Sequence, residues 1–280
     1  FSSFTIRQGI ANLYRPNNFS TILITVTGLG VVLINMIFLI EINILNQLSF
    51  TQNNEQPNTI LFDIQPEQIN AVQVFVKEKG YPVLQQVPIV AMRLHSLKGQ
   101  SGFEIKQDST LNIPSHVVDR EYRVTYRDTL IKSEKIIDGI WVGEVSSITA
   151  IIPVSLSENQ AKNMKVEIGD VFSFNVSGSL LNCTLASIRE VDYTKIQTNF
   201  TVLFPNGVLE SAPQNYVLIS RVNSREESAV FQNQMVNQFP NISVIDLDQV
   251  LKTANDVLGK ISFVIQVPPS IPFVARLTST

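Results

Sequence analysis

From Pro16 to Ile40 the chain runs through 25 residues without a charge, and leucine, isoleucine, valine, methionine and phenylalanine occur all the way round a helix drawn on them. At about 1.5 Å per residue such a helix covers roughly 37 Å, more than the roughly 30 Å hydrocarbon core of a bilayer. A buried helix of a water-soluble domain would keep a polar face. A cleaved secretory signal would be shorter, at about 7–15 apolar residues, and would end in small residues, whereas Glu41, Ile42, Asn43 and Ile44 follow here. The pattern predicts a transmembrane helix over residues 19–42.

Beyond the polar stretch TQNNEQPN the pattern changes period. TILFDIQ reads as a strand, PEQINAVQVFVKEKG as a helix and VPIVAMRLHSL as a strand. Within the helix Ile69, Val72, Phe75 and Val76 recur at helical spacing, Pro66 suits its first turn, and Gly80 suits its end. The same order returns later in NYVLISRV, SREESAVFQNQMVNQF and ISVIDL, where Ser224 and Glu227 have capping-box spacing and Phe231, Met235 and Phe239 lie on one face. Two βαβ units are the halves of a ferredoxin-like split βαβ sandwich. Residues 43–98 and 215–246 therefore read as one domain, interrupted by residues 99–214. That insertion is a small, mostly β subdomain: REYRVTYRD alternates, GDVFSFNVSGSLLNCTLASI looks like a hairpin turning near Ser177 and Gly178, and only LSENQAKNM looks helical. The fold class is α+β. At the far end LDQVLKTANDVLGKISFVIQ gathers apolar residues as if returning to a membrane, residues 247–266. Pro268, Pro269 and Pro272 then break any helix, so residues 267–280 form an atypical tail. The chain reads as a fragment.

Charge sets the orientation. Residues 1–18 carry Arg7 and Arg15 and no acid, and Glu41, Glu55, Asp63 and Glu67 all precede the first lysine, Lys77. Basic flanks stay on the cytoplasmic side. Residues 1–18 are thus expected in the cytoplasm and the main domain outside it. The net charge of -3 offers nothing to a nucleic acid.

The search for chemistry is short. Cys183 stands alone, in the strand pattern Leu181, Cys183, Leu185, which favours a small buried apolar residue. His95 and His116 lie 21 residues apart with no carboxylate pair at ligand spacing, so no metal site is expected. TGLGVVL has a G-x-G but neither the third glycine nor the lysine of a phosphate cradle. No G-x-S-x-G is present, although chain order alone leaves a Ser-His-acid triad open. Neither a catalytic residue nor a cofactor-binding residue is assigned. Two surfaces are candidates for contact instead. Thr21, Thr25, Gly28, Val32 and Asn35 step by four, three, four and three, which places small and polar groups on one stripe where another helix could pack. Arg120, Arg123 and Arg127 could form a basic face, although Asp119, Glu121 and Asp128 interleave with them. Phe200, Leu203 and Phe204 could form a lipid-contacting edge, against the alternative of a core strand ending at Pro205, Asn206 and Gly207.

The succession of RQGIANLYRP, a span, a βαβ-insert-βαβ domain and a returning helix resembles the permeases of the MacB, FtsX and LolC type, the mechanotransmission class of ABC transporters. The stretches REYRVTYRDTLIKSEKIIDGIW, IGDVFSFNVSG, SIREVDYTKIQTNFTVLFPNGVLESAPQNYV and PNISVIDLDQVL look like its YbbP-like branch. The resemblance covers residues 4 to about 266. It implies a non-enzymatic permease subunit in the bacterial cytoplasmic (inner) membrane, with a periplasmic domain moved by a separate cytoplasmic ABC ATPase that carries the ATP. It also implies an amphipathic cytoplasmic helix at 4–14, stalk helices at 41–50 and 247–266, and, as further partners, membrane lipid and other permease helices or a second permease half. The substrate would be a hydrophobic or envelope-associated molecule. The alternative is a single-pass anchored binding or sensor module; a membrane-bound hydrolase is a third reading.

Overall fold

A computed structural model describes residues 20–49, 57–146, 151–193, 195, 197–250, 252, 253 and 256. It divides into two units, one of Phe1–Gln52 with Val250–Thr280 and the other of Asn53–Gln249. Residues 20–40 of the uncharged run lie in the first, inside helix α1, Ser20–Ser49. Thirty helical residues extend for about 45 Å. The helix passes Glu41 without a break, so the span and the segment read as its stalk are one element. Its described apolar side chains, from Ile22 to Ile42, are all exposed. Among the described residues no helix is long and apolar enough to cross a membrane. The α1 backbone is continuous through the uncharged sequence from Ser20 to Ile40. The segment expected in the cytoplasm, 1–18, and the tail at 267–280 lie outside the described residues. Of the returning helix, residues 247–250, 252, 253 and 256 are helical and the rest lies outside them.

The second unit is a mixed α and β structure. It runs β1 (Thr59–Ile64), α2 (Ile69–Glu78), β2 (Val83–Leu97), β3 (Gln100–Ser101), α3 (Gly102–Gln107), α4 (Ser115–Asp119), β4 (Glu121–Tyr126) and β5 (Glu134–Gly139). It continues with β6 (Ile152–Ser157), α5 (Glu158–Met164), β7 (Val171–Val176), β8 (Ser179–Val191), β9 (Val202–Phe204), β10 (Gln214–Ser220), α6 (Arg225–Gln238) and β11 (Ser243–Asp246). Helix α2 begins at Ile69, so Pro66 sits in the turn ahead of it and not in its first turn. Gly80, at φ 84°, ends it as expected.

Strands β11, β1, β10 and β2 lie side by side in that order, every neighbouring pair antiparallel. The four positions that recur along α2 are all buried, as are Phe231 and Met235 of α6 and Phe239 just past its end, and they share one core with Leu61, Ile64 and Leu218 of the sheet. Phe75 is its pivot, 6.1 Å from the Phe231 ring and 6.0 Å from that of Phe239. Ser224 accepts the Glu227 backbone N–H at 3.2 Å, the near half of a capping box. The Glu227 carboxylate takes the Tyr81 hydroxyl at 3.4 Å.

The other strands close on themselves. β2 pairs with β4, β4 with β9, β9 with β6, β6 with β8, β8 with β7, and β7 returns to β2, a ring of six strands. Its core gathers Met92, Tyr122, Val154, Phe172, Phe174, Leu185 and Phe204. Alternation predicted a mostly β insertion, and closure adds that this part leaves few edges to pair with other chains. Strand β2 belongs to both halves: residues 83–90 pair with β10, and residues 90–97 pair with β4 and β7. The hairpin turns at Ser177 and Gly178, whose positive φ angles of 49° and 96° a tight two-residue turn requires. Gly207, at φ 94°, lies where a Cβ would meet the Val145 carbonyl oxygen at 2.1 Å. LSENQAKNM is not the only helical stretch of the insertion, because α3 and α4 are helical too. At six and five residues they are too short for a hydrophobic period to show.

Candidate functional site

On α1, Thr25, Gly28 and Asn35 are exposed, and the Thr21 side chain lies outside the described ones. An ideal Cβ at Gly28 would meet nothing within 4 Å. The Asn35 amide donates to the Val31 carbonyl at 2.9 Å, and Asn43 does the same to Leu39. A polar side chain four residues along satisfies its donor on its own helix. The amide N–H of Asn35 therefore has a partner without a second helix.

The proposed basic face is not formed. Only Arg123 of its three arginines is exposed. The Arg120 guanidinium lies 4.3 Å over the Tyr122 ring and donates to Gln160 Oε1 at 2.5 Å. Arg127 turns to Glu134 at 2.6 Å. Arg120 and Arg127 fall outside the six residues of β4, where strand alternation no longer governs direction. The lipid-contacting edge is likewise corrected: Leu203 and Phe204 have no exposed surface and Phe200 is buried. β9 is held between β4 and β6, so its apolar residues are core.

The polar group that sequence reading missed is Arg189, the largest side chain with essentially no exposed surface. Its Nε donates to Ser155 Oγ at 2.9 Å, and a terminal nitrogen reaches the Phe200 carbonyl at 3.2 Å. The other terminal nitrogen pairs with Glu134, which Arg127 also meets. Two guanidinium groups thus share one buried carboxylate. Burial pulls the Arg189 pKa down to about 10, opposed by Glu134. Burial lowers that of Arg127 too, against the same carboxylate. Arg127 Nε and Ser187 Oγ remain buried without a partner. Cys183, Leu185, Ser187 and Arg189 share one parity of β8 and all are buried, but the register with β6 slips between Val154 and Ser155, so Ser187 and Arg189 lie on the other face from Cys183 and Leu185. The cluster joins β5, β6, β8 and the segment before β9, and it pins the outside of the barrel.

Open depressions mark the described surface. One of about 350 Å³ lies among Ile137, Glu158, Lys162, Lys165 and Glu167, and another of about 430 Å³ among Arg93, His95, Glu121 and Asn175. Each mixes charges of both signs, and the second also has Ser177 on the lining it shares with His95 and Glu121. His95 lines the second and His116 sits in α4. No group of three His, Cys, Asp or Glu able to hold a metal occurs among the described residues.

The chain is 25% identical over 250 residues, 89% of its length, to YbbP, an uncharacterised ABC transporter permease of Escherichia coli K12. The chain is similar to an ABC transporter permease along nearly all of its length and spans about 29% of that relative. A crystallised domain described as part of a permease from Porphyromonas gingivalis has 12% identity and a TM-score of 0.33, over 69% of this chain and 90% of that one. No family model matches.

Proposed function

We propose that the chain is part of a permease subunit that a separate cytoplasmic ABC ATPase drives, and that it is itself non-enzymatic. In this reading α1 crosses the bacterial cytoplasmic membrane with its amino end inside. The strand order β11-β1-β10-β2 with α2 and α6 is then a ferredoxin-like split βαβ domain in the periplasm, carrying the barrel as its insertion. Hydrolysis in the ATPase moves this domain to export or extract a hydrophobic or envelope-associated molecule. The observation that carries the reading is the similarity to a permease across 250 residues. A helix with apolar side chains exposed from Ile22 to Ile42 supports it, because so large an unpaired apolar surface calls for lipid or neighbouring helices.

Crosslinking of the intact membrane protein in cells, followed by capture and mass spectrometry, tests it: an ABC ATPase is expected at stoichiometric yield. A second reading, a single-pass anchored sensor, is favoured by the Asn35 amide finding its partner on its own helix. Clean absence of an ATPase from the captured material decides for that reading.

A further inference from the structure

The chain passes from the first unit to the second after Gln52 and back after Gln249. Inside the second unit, both passages come to one residue. Asn58 immediately precedes β1 and is buried. Its Nδ2 donates to the Val222 carbonyl and to Asp248 Oδ2, each at 2.8 Å. Its Oδ1 accepts the Val222 N–H at 2.9 Å and the Thr59 hydroxyl at 3.1 Å. Both amide protons and both lone pairs are in use, the full capacity of an asparagine. Its backbone adds more, donating to the Ser220 carbonyl at 3.3 Å and accepting the Leu247 N–H at 2.8 Å. Beside it, buried Asp246 accepts the Ser228 hydroxyl and, at 3.1 Å, the Gln249 N–H. Entry strand, exit segment and the end of β10 thus meet at Asn58, and helix α6 joins beside it through Asp246.

The strand pairing shows what this does under load. β1 and β11 are antiparallel neighbours, with Thr59 opposite Asp246, so the chain enters and leaves at the same end of the same strand pair. Tension drawing those two ends apart would open the pair like a zipper, one ladder bond at a time. The Asn58 bonds lie at the end where opening starts and must break first. They also pass load to β10 through Val222, and Asp246 passes it to α6 through Ser228.

We infer that the Asn58 node is the clamp through which movement of the flanking segments reaches the second unit as a whole; its role in transport, though not its mechanics, rests on the proposed function. Asparagine is the residue this position needs: aspartate lacks the two donors, and alanine leaves Val222 N–H and Asp248 without their partner.

The test uses the membrane protein in nanodiscs with its ATPase, in wild type, Asn58→Ala and Asp248→Ala forms. Loss of the clamp is expected to speed exchange of the Val222 and Leu247 amides by about tenfold while the Phe172 and Phe174 amides keep their protection. Unchanged exchange at Val222 and Leu247 overturns the clamp. A fluorophore on Leu180→Cys, at the exposed hairpin of the barrel, reports movement on ATP addition. The clamp predicts that Asn58→Ala hydrolyses ATP at the wild-type rate but loses the fluorescence change; a retained change overturns it. A wild-type protein that shows no ATP-driven change defeats the transport reading, and the exchange result then judges the clamp alone. Should Asn58→Ala not fold, Asp248→Ala, which removes one acceptor and leaves the bonds to Val222, carries both comparisons.

Discussion

Arg189 has no exposed surface and no polar nitrogen to spare, because Ser155, Glu134 and the Phe200 carbonyl take them. Removing one member of a buried ion pair leaves the other uncompensated, at about 3–5 kcal/mol. Arg189→Met leaves Glu134 paired with Arg127 and is therefore expected to lower unfolding stability by less than that amount in urea titration of the second unit. Glu134→Leu, which leaves both guanidinium groups without their carboxylate, should cost more than Arg189→Met. Cys183 is the opposite case, an apolar use of a reactive atom. Burial pushes its thiol pKa up, so at neutral pH it carries almost no thiolate. A maleimide should leave it unlabelled in the folded protein and label it once the barrel is unfolded in urea. Its apolar role was legible from Leu181, Cys183 and Leu185. The burial of Arg189 was not, since a charged residue in an alternating strand normally marks the wet face.

At the scale of elements, helical period was informative where helices are long enough to repeat it. Ile69, Val72, Phe75 and Val76, and then Phe231, Met235 and Phe239, all reach the core as their spacing implied. Helix α3 is six residues long and announces itself only by its cap. Ser101 accepts the Glu104 N–H, and Glu104 accepts the Ser101 N–H at 2.7 Å. That backbone bond, with the Ser101 hydroxyl, holds the Glu104 pKa below its ordinary 4.5. A carboxyl with a lowered folded pKa contributes its full stabilisation above the ordinary value and loses it as pH falls through the folded one. Protection of the Ser101 amide is thus expected to be constant above pH 4.5 and to fall on further acidification; Glu104→Gln should flatten that dependence. Exchange measured across this range, with each rate referred to that of the unstructured chain, checks both.

At the scale of the molecule the two units differ in what they ask of their surroundings. Residues 53–249 hold both cores, one inside the barrel and one under α2 and α6, while α1 exposes its apolar side chains. A fragment of residues 57–249 is expected to remain monomeric without detergent and to unfold cooperatively, as measured by circular dichroism in urea. Aggregation of that fragment would mean that the second unit depends on the segments around it. A chain that includes α1 should need detergent or lipid.

The amino-acid sequence alone determined the elements whose signal is local: the long uncharged helix, the two βαβ units and the Ser177-Gly178 hairpin. Each follows from a repeat or a turn within one stretch of chain. Only the tertiary structure decided that six strands close into a barrel, that β2 serves both cores, and that Phe200, Leu203 and Phe204 are inside. Pairings such as β4 with β9 and β2 with β7 join residues far apart in the chain, and no local pattern encodes them. The same holds for Arg189 with Glu134 and for Asn58 with Asp248: a side chain's partner is set by where the backbone carries it, and that is known only once the strands are paired.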